Sequence, residues 1–218
     1  MRIKLPFTIE EFLAVFQAYN QAIEPWQLVA YLLGIVTLVA GIKSGKHTAT
    51  IILVILAVFW GWTGLVYHIL FFSEINPAAY VFGGFFILHA ILIVYFSVRS
   101  DEIRFSMTLT PPGIVGAIFI VYAMLIYPIL NYSLGHGYPA MPVFGVTPCP
   151  LTIFTFGVFL FANKTIPWYL IVIPFIWSLI GLSAAIQLQV YEDLGLVVAA
   201  LVATGLLIAK KYQQRYTA

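Results

Sequence analysis

Long apolar stretches, separated by charged or turn-forming residues, dominate this sequence and limit what it can fold into. Of its 218 residues, 62% are hydrophobic and 8% are charged, whereas a soluble domain carries about a quarter charged residues. A helix needs roughly 20 apolar residues to cross the hydrocarbon core of a bilayer. The pattern predicts seven spans, at residues 26–42, 48–72, 77–98, 111–134, 150–163, 167–189 and 194–209. We therefore expect residues 1–218 to form one integral membrane domain, an all-α polytopic membrane helical bundle with seven transmembrane helices.

The segment before the first span, residues 7–24, is typical of an amphipathic helix. It lacks the uninterrupted apolar core of a signal peptide. Thr8 and Glu11 have the spacing of a capping box, and Phe7 can pack on Phe12 as a hydrophobic staple. Apolar residues then recur at helical spacing opposite glutamate and glutamine. This pattern predicts a helix that lies on the membrane surface and ends at Pro25.

The distribution of Lys and Arg predicts the orientation of the bundle, because these residues are retained on the cytoplasmic side. Eight of the ten basic residues fall on one side: Lys43, Lys46, Arg99, Arg104, Lys164, Lys210, Lys211 and Arg215. The opposite side carries Arg2 and Lys4 together with six of the eight acidic residues. We expect the N-terminus outside and the C-terminus inside, in the cell (inner) membrane. The net charge of +2 gives no reason to expect nucleic acid as a partner.

The connection at residues 135–150 is unusual because it is rich in glycine and proline but carries no charge. No Asp, Glu, Lys or Arg occurs between residues 105 and 163. An aqueous loop is normally more polar, so this one is expected to fold back against the helices, where protein can satisfy its backbone. Cys149 is then expected to lie below the outer surface.

Three stretches carry a family resemblance. They are Tyr19-Asn20 with Ala22 and Pro25, Asn76-Pro77-Ala78-Ala79, and residues 136–155 with their Pro148-Cys149-Pro150. Through them the chain resembles an uncharacterised bacterial family of small multi-pass membrane proteins, a domain of unknown function. The resemblance covers most of the chain and implies no activity.

Candidate site residues can be chosen by the free-energy cost of placing polar side chains in a membrane. Because of this cost, such groups usually face the protein interior or a cavity. Most of the uncommon polar groups fall on the predicted outer half. The candidates for binding a substrate or ion are His68, Tyr67, Glu74, Tyr127, Asn131, His136, Cys149, Gln187, Glu192 and Asp193. Structural roles stay open for them, since acidic residues at helix starts often serve as caps.

A metal site is one possible use of these residues. Cys149 precedes a predicted helix, whose N-terminal amides would stabilise a thiolate. Thiolate and imidazole ligands suit soft cations, so Cys149, His68 and His136 predict a soft-metal site. The alternative is that Cys149 is a small buried hydrophobe. The sequence names no cofactor.

Three functions remain open. The first is a transporter or channel that binds a small solute or cation in an outward-opening pocket. It is favoured by a register in which Trp60, Gly64 and Asn76 match Trp177, Gly181 and Asp193, as in an internal repeat. The others are an accessory or scaffold subunit of a membrane complex, and a membrane-embedded enzyme that uses Cys149 with a His. Expected partners are the lipid bilayer and either a second copy or a membrane-complex partner.

Overall fold

The chain folds into helices joined by short connections. The computed structural model describes residues 6–100 and 102–216, with side chains up to residue 214. In those ranges there are eight helices and no strand beyond an isolated bridge between Phe105 and Ala162. The helices are α1 (Ile9–Ala22), α2 (Trp26–Lys43), α3 (Lys46–Glu74), α4 (Ala79–Arg99), α5 (Pro111–Ser133), α6 (Pro148–Leu160), α7 (Tyr169–Leu188) and α8 (Leu194–Tyr216).

Six of these helices, rather than the seven predicted, are long and apolar enough to cross a membrane. They are α2, α3, α4, α5, α7 and α8, the last with the turn Tyr191–Asp193 that precedes it. The predicted span 150–163 instead overlaps α6, which runs from Pro148 to Leu160 and has 13 residues. At 1.5 Å per residue α6 is only about 20 Å long. Its length is therefore too small for a membrane-crossing helix of the usual kind.

α6 lies at the centre of the bundle. Every residue of the helix is buried, as is the whole stretch from 142 to 162. It packs against α5 and α8 and also contacts α3 and α7. A helix that is apolar on all sides is expected to be surrounded by protein or lipid. Here protein surrounds it, and residues 142–147 of the connection before it are buried as well.

Close helix crossings depend on paired glycines. A side chain at Gly116 of α5 would lie 2.7 Å from the carbonyl oxygen of Gly157 in α6. At the crossing of α3 and α4, a side chain at Gly64 would lie 2.9 Å from the carbonyl oxygen of Gly83. Small residues allow helix backbones to approach closely in membrane proteins. These positions set the spacing of α5 from α6 and of α3 from α4.

α1 begins as predicted but packs differently. The Thr8 and Glu11 capping box is present, and the rings of Phe7 and Phe12 stack at 5.7 Å. However, Phe16 and Tyr19 on its apolar face are buried against other parts of the chain. The apolar face of α1 therefore packs on protein, and its position on the membrane surface stays a prediction. The same periodicity serves a helix that docks on protein.

The connections with basic residues meet at one end of the bundle. Lys164 pairs with Glu102, and Lys210 donates to the carbonyl oxygen of Ala162. The amide of Met107 donates to the carbonyl oxygen of Gly41 across the same end. Arg2, Lys4 and the side chain of Arg215 lie outside the described residues. Which end faces the cytoplasm stays a prediction.

Candidate functional site

A cavity of about 210 Å³ lies at the end of the bundle opposite the basic connections. α1, α3, α4, α6 and α7 form its walls, together with the connections that lead into α4, α6 and α8. Seven aromatic side chains line it: Phe7, Phe12, Phe16, Tyr67, Phe72, Phe82 and Trp177. Its polar lining includes Asn76, Cys149, Ser183 and Asp193.

The aromatic side chains form a continuous wall over the cavity. Phe16 stacks on Tyr67 at 5.3 Å, and Tyr67 stacks on Phe72 at 5.7 Å. Phe12 contacts Phe16 edge-on at 4.8 Å. Residues from the first half of α1 are thereby joined to the C-terminal part of α3. On the other side Trp177 of α7 contacts Phe82 of α4 at 5.5 Å.

A buried polar group lies at the base of the cavity. The hydroxyl of Tyr127 donates a hydrogen bond of 2.5 Å to Oδ1 of Asp193. The Cys149 thiol lies beside the same carboxylate. Asp193 is 5% exposed and Tyr127 is fully buried, so water cannot compensate for loss of this contact. The turn before α8 thus presents a carboxylate to the cavity.

Irregular turns position two of these tyrosines. α3 contains a π-helical segment, Thr63–Phe71, that includes Tyr67. α5 contains a second one, Tyr122–Ile126, directly before Tyr127. Wider π turns are frequent at functional sites because they redirect side chains from the regular helical positions. Both segments occur in helices that reach the site.

A second polar group is formed around Glu192, the residue before Asp193. Nδ1 of His136 lies 3.2 Å from Oε1 of Glu192. The Tyr122 hydroxyl donates to the backbone carbonyl of Glu192 at 2.7 Å. The carbonyl of Asn131 accepts the amide of His136, and the Asn131 side chain donates to the carbonyl of Tyr127. These contacts tie the connection after α5 to the turn before α8.

α1 is held over the site by two polar side chains. Tyr19 donates to the carbonyl of Val146 at 2.6 Å and accepts from the indole of Trp62 at 2.9 Å. Burial raises the pKa of Tyr19, so the phenol stays protonated and can donate. The Asn20 amide donates to the carbonyls of residues 139 and 141 at 2.7 and 2.8 Å. Both bonds reach the half-buried part of the connection before α6.

His68 lies outside this polar group. Its ring contacts Tyr67, Phe86 and Trp177 and has no hydrogen-bond partner at either nitrogen. Among the described residues there is no group of three or more His, Cys, Asp or Glu that could hold a metal ion. The expected soft-metal site of His68, His136 and Cys149 is therefore not assembled. Aromatic rings surround the imidazole of His68, and the imidazole of His136 contacts Glu192.

Two further candidates do not join the site. The side chain of Glu74 is exposed at the end of α3 and does not line the cavity. Gln187 is also exposed, and its amide donates to Ser183 within α7. Their positions near predicted helix ends gave no information about which face they occupy. Tyr67, Cys149 and Asp193 line the cavity, while Tyr127, Asn131, His136 and Glu192 lie behind it.

Several site residues were not predicted from the sequence. Trp177 lines the cavity, and its indole nitrogen is buried without a hydrogen-bond partner. Tyr122 was missed because its bond to the turn before α8 spans 70 positions. Phe12 and Phe16 were recognised as an apolar face, but not as a wall of a site. The one local indication of this site was the position of Trp177 one helical turn before Gly181 in α7, since both residues line the cavity.

Comparison with known families follows from this description of the whole chain. The model of a family of unknown function, DUF6064, matches residues 9–218. The chain belongs to this family. The match to DUF6064 covers every helix described above, so the expected membership of an uncharacterised family is confirmed. No curated protein and no solved structure matches the chain.

Proposed function

We propose that this protein is a multi-pass membrane protein that binds a small solute or cation in the cavity beneath α1 and carries it across the membrane. The observation behind this is a cavity lined by seven aromatic side chains together with the buried carboxylate of Asp193. Ligand sites are typically concave and mostly apolar, with a few polar groups that fix orientation. A carboxylate in that position has a cost of burial that a bound ligand would offset.

The proposed orientation opens the cavity to the outside. The end that carries the cavity also carries Glu74, Glu192 and Asp193, while the opposite end carries Arg104, Lys164 and Lys210. Basic residues are enriched on the cytoplasmic side of membrane proteins. On this basis the solute enters from the outer side.

Irregular helices favour transport over a purely structural role. Two helices that reach the site contain π-helical segments, Thr63–Phe71 and Tyr122–Ile126, and α7 contains Pro174. In transporters, interrupted helices often surround the binding site because they can rearrange while the bundle is retained. An enzyme that uses Cys149 is less favoured, since in the described part of the chain no histidine is hydrogen-bonded to its thiol.

Binding can be tested with a variant whose cavity is filled. Ala184 lines the cavity, and Ala184→Trp would occupy it, whereas Ser133→Trp adds the same bulk at the exposed end of α5. The purified proteins would be heated with choline, alanine, glycerol or acetate. We expect at least one compound to raise the melting temperature of the native protein and the Ser133 variant only. The binding proposal is overturned if no compound raises the melting temperature of the native protein more than that of the Ala184 variant.

Transport requires a second measurement. The compound that binds would be used in radiolabelled form with the native protein and the Ala184 variant in vesicles. We expect uptake by the native protein alone. Binding without uptake would overturn transport and leave a binding protein.

A further inference from the structure

We infer that the ligand of this cavity is a small organic cation with an apolar body, such as a substituted ammonium. This inference rests on the proposed function and names the chemical class of its ligand. It depends on three properties of the same cavity: aromatic walls, one carboxylate, and the absence of basic side chains from the lining that the structure describes.

The aromatic walls attract a cation. The rings of Phe16, Tyr67 and Trp177 all contribute to the cavity surface. An ammonium group over an aromatic face is attracted by the ring quadrupole, and the attraction grows where water is excluded. Rings of this kind also accept the methyl or methylene groups of the ligand. A hydrated inorganic ion would find few oxygen ligands here.

The charges around the cavity have the sign that an ammonium requires. Asp193 lines the cavity. The preceding residue, Glu192, is also buried, and its Oε2 has no hydrogen-bond partner. Among the described lining residues there is no Lys, Arg or His. His136 contacts this acidic pair, and its Nδ1 lies 3.2 Å from Oε1 of Glu192 rather than beside Asp193. An anion would meet a carboxylate without a compensating positive charge, at a cost that low polarity increases.

The size of the cavity restricts the ligand further. Sites for drug-sized molecules usually measure about 300–1,000 Å³, whereas this cavity measures about 210 Å³. A small monovalent ammonium fits that volume and matches the single lining carboxylate. Phe7, Phe12 and Phe16 would cover it from the side of α1.

Calorimetry with three probes of nearly equal shape tests the charge class. Choline carries a quaternary ammonium, 3,3-dimethylbutan-1-ol is its neutral analogue, and 3,3-dimethylbutanoate is an anion. We expect the native protein to bind choline at least about tenfold more tightly than the alcohol and to show no binding of the anion. Equal binding of choline and the alcohol would overturn the cation class and leave a solute pocket. Failure of all three to bind would overturn the inference, while the melting screen above tests the pocket itself.

Variants locate the binding. Asp193→Asn keeps a hydrogen-bond acceptor for Tyr127 and is expected to remove the preference for choline over the alcohol. Asp193→Glu should restore part of that preference, and Glu74→Gln, an exposed acid outside the cavity, should leave it unchanged. Should Asp193→Asn fail to fold, Phe16→Leu, which removes one aromatic wall, is expected to reduce the preference several-fold. Unchanged preference in Asp193→Asn, or in Phe16→Leu if that variant is needed, would overturn the inference.

Discussion

At the level of single residues, Asp193 is the group around which the site is organised. Its carboxylate accepts a hydrogen bond from the Tyr127 hydroxyl, lies beside Cys149 and lines the cavity. A carboxylate buried among apolar side chains persists only when nearby donors offset its loss of water. Tyr127 meets this requirement through its hydrogen bond to Oδ1 of Asp193.

Removal of the Tyr127 hydroxyl is expected to destabilise the protein. Tyr127→Phe leaves a buried carboxylate without its donor at 2.5 Å, and such a loss costs about 1–3 kcal/mol. The measurement is the free energy of unfolding from SDS titration of the purified protein. Tyr132→Phe is the matched control, because Tyr132 is 77% exposed on the same helix. Equal stability of the two variants would contradict a structural role for the hydroxyl.

Individual site residues could be predicted better than their contacts. Tyr127 and Asp193 were both chosen from the sequence because polar groups are costly in a bundle. Their hydrogen bond joins positions 66 residues apart, and no local pattern encodes such a pairing. The prediction of a metal site depended on a similar long-range grouping of Cys149 with His68 and His136. The described residues do not form that grouping.

At the level of secondary structure, α1 and α6 show what a hydrophobic pattern leaves open. The start of α1 could be predicted because a capping box is local, from Thr8 to Glu11. Its partner could not, since an apolar face packs equally well on lipid or on protein. For α6, the lack of charge indicated burial, and its 13 residues made it too short for a regular span.

Docking of α1 is expected to depend on Asn20. Asn20→Ala removes both bonds to the connection before α6, at about 0.5–1.5 kcal/mol each. Hydrogen exchange of the α1 amides should therefore become faster while the exchange of α6 is unchanged. Gln21→Ala, at an exposed neighbouring position, is the control. Unchanged exchange in α1 would contradict this role of Asn20 and show that the Tyr19 hydrogen bonds and the aromatic contacts suffice to hold the helix.

The crossing of α5 and α6 predicts a strong effect of one methyl group. In Gly157→Ala the new carbon would lie 2.9 Å from the carbonyl oxygen of Gly116, and overpacking typically costs about 1–3 kcal/mol. Gly205→Ala has no atom within 4 Å of the new carbon and should be neutral or stabilising by up to about 1 kcal/mol. SDS titration compares the two. A loss of stability in Gly205→Ala as large as in Gly157→Ala would contradict the packing explanation.

At the scale of the whole molecule, the two ends of the bundle differ in charge and in structure. One end joins the basic connections through contacts such as those of Lys210 and Lys164. The other holds the cavity, α1 and the acidic turn before α8. Long apolar stretches therefore predicted the helical class and most helix positions. The seventh span is not confirmed, because burial in protein and burial in lipid require the same composition and the sequence does not distinguish them.

The most direct test of a cavity that opens outward is the accessibility of one introduced cysteine. Ser183 is exposed and lines the cavity, and Thr108 is exposed at the basic end. Each would be changed to cysteine in a Cys149→Ser background, and intact cells would be treated with a membrane-impermeant maleimide. We predict labelling of Ser183→Cys in intact cells, reduced by choline, and labelling of Thr108→Cys only after the membrane is opened. Labelling of Thr108→Cys alone in intact cells would contradict the orientation and, with it, the outward-opening site.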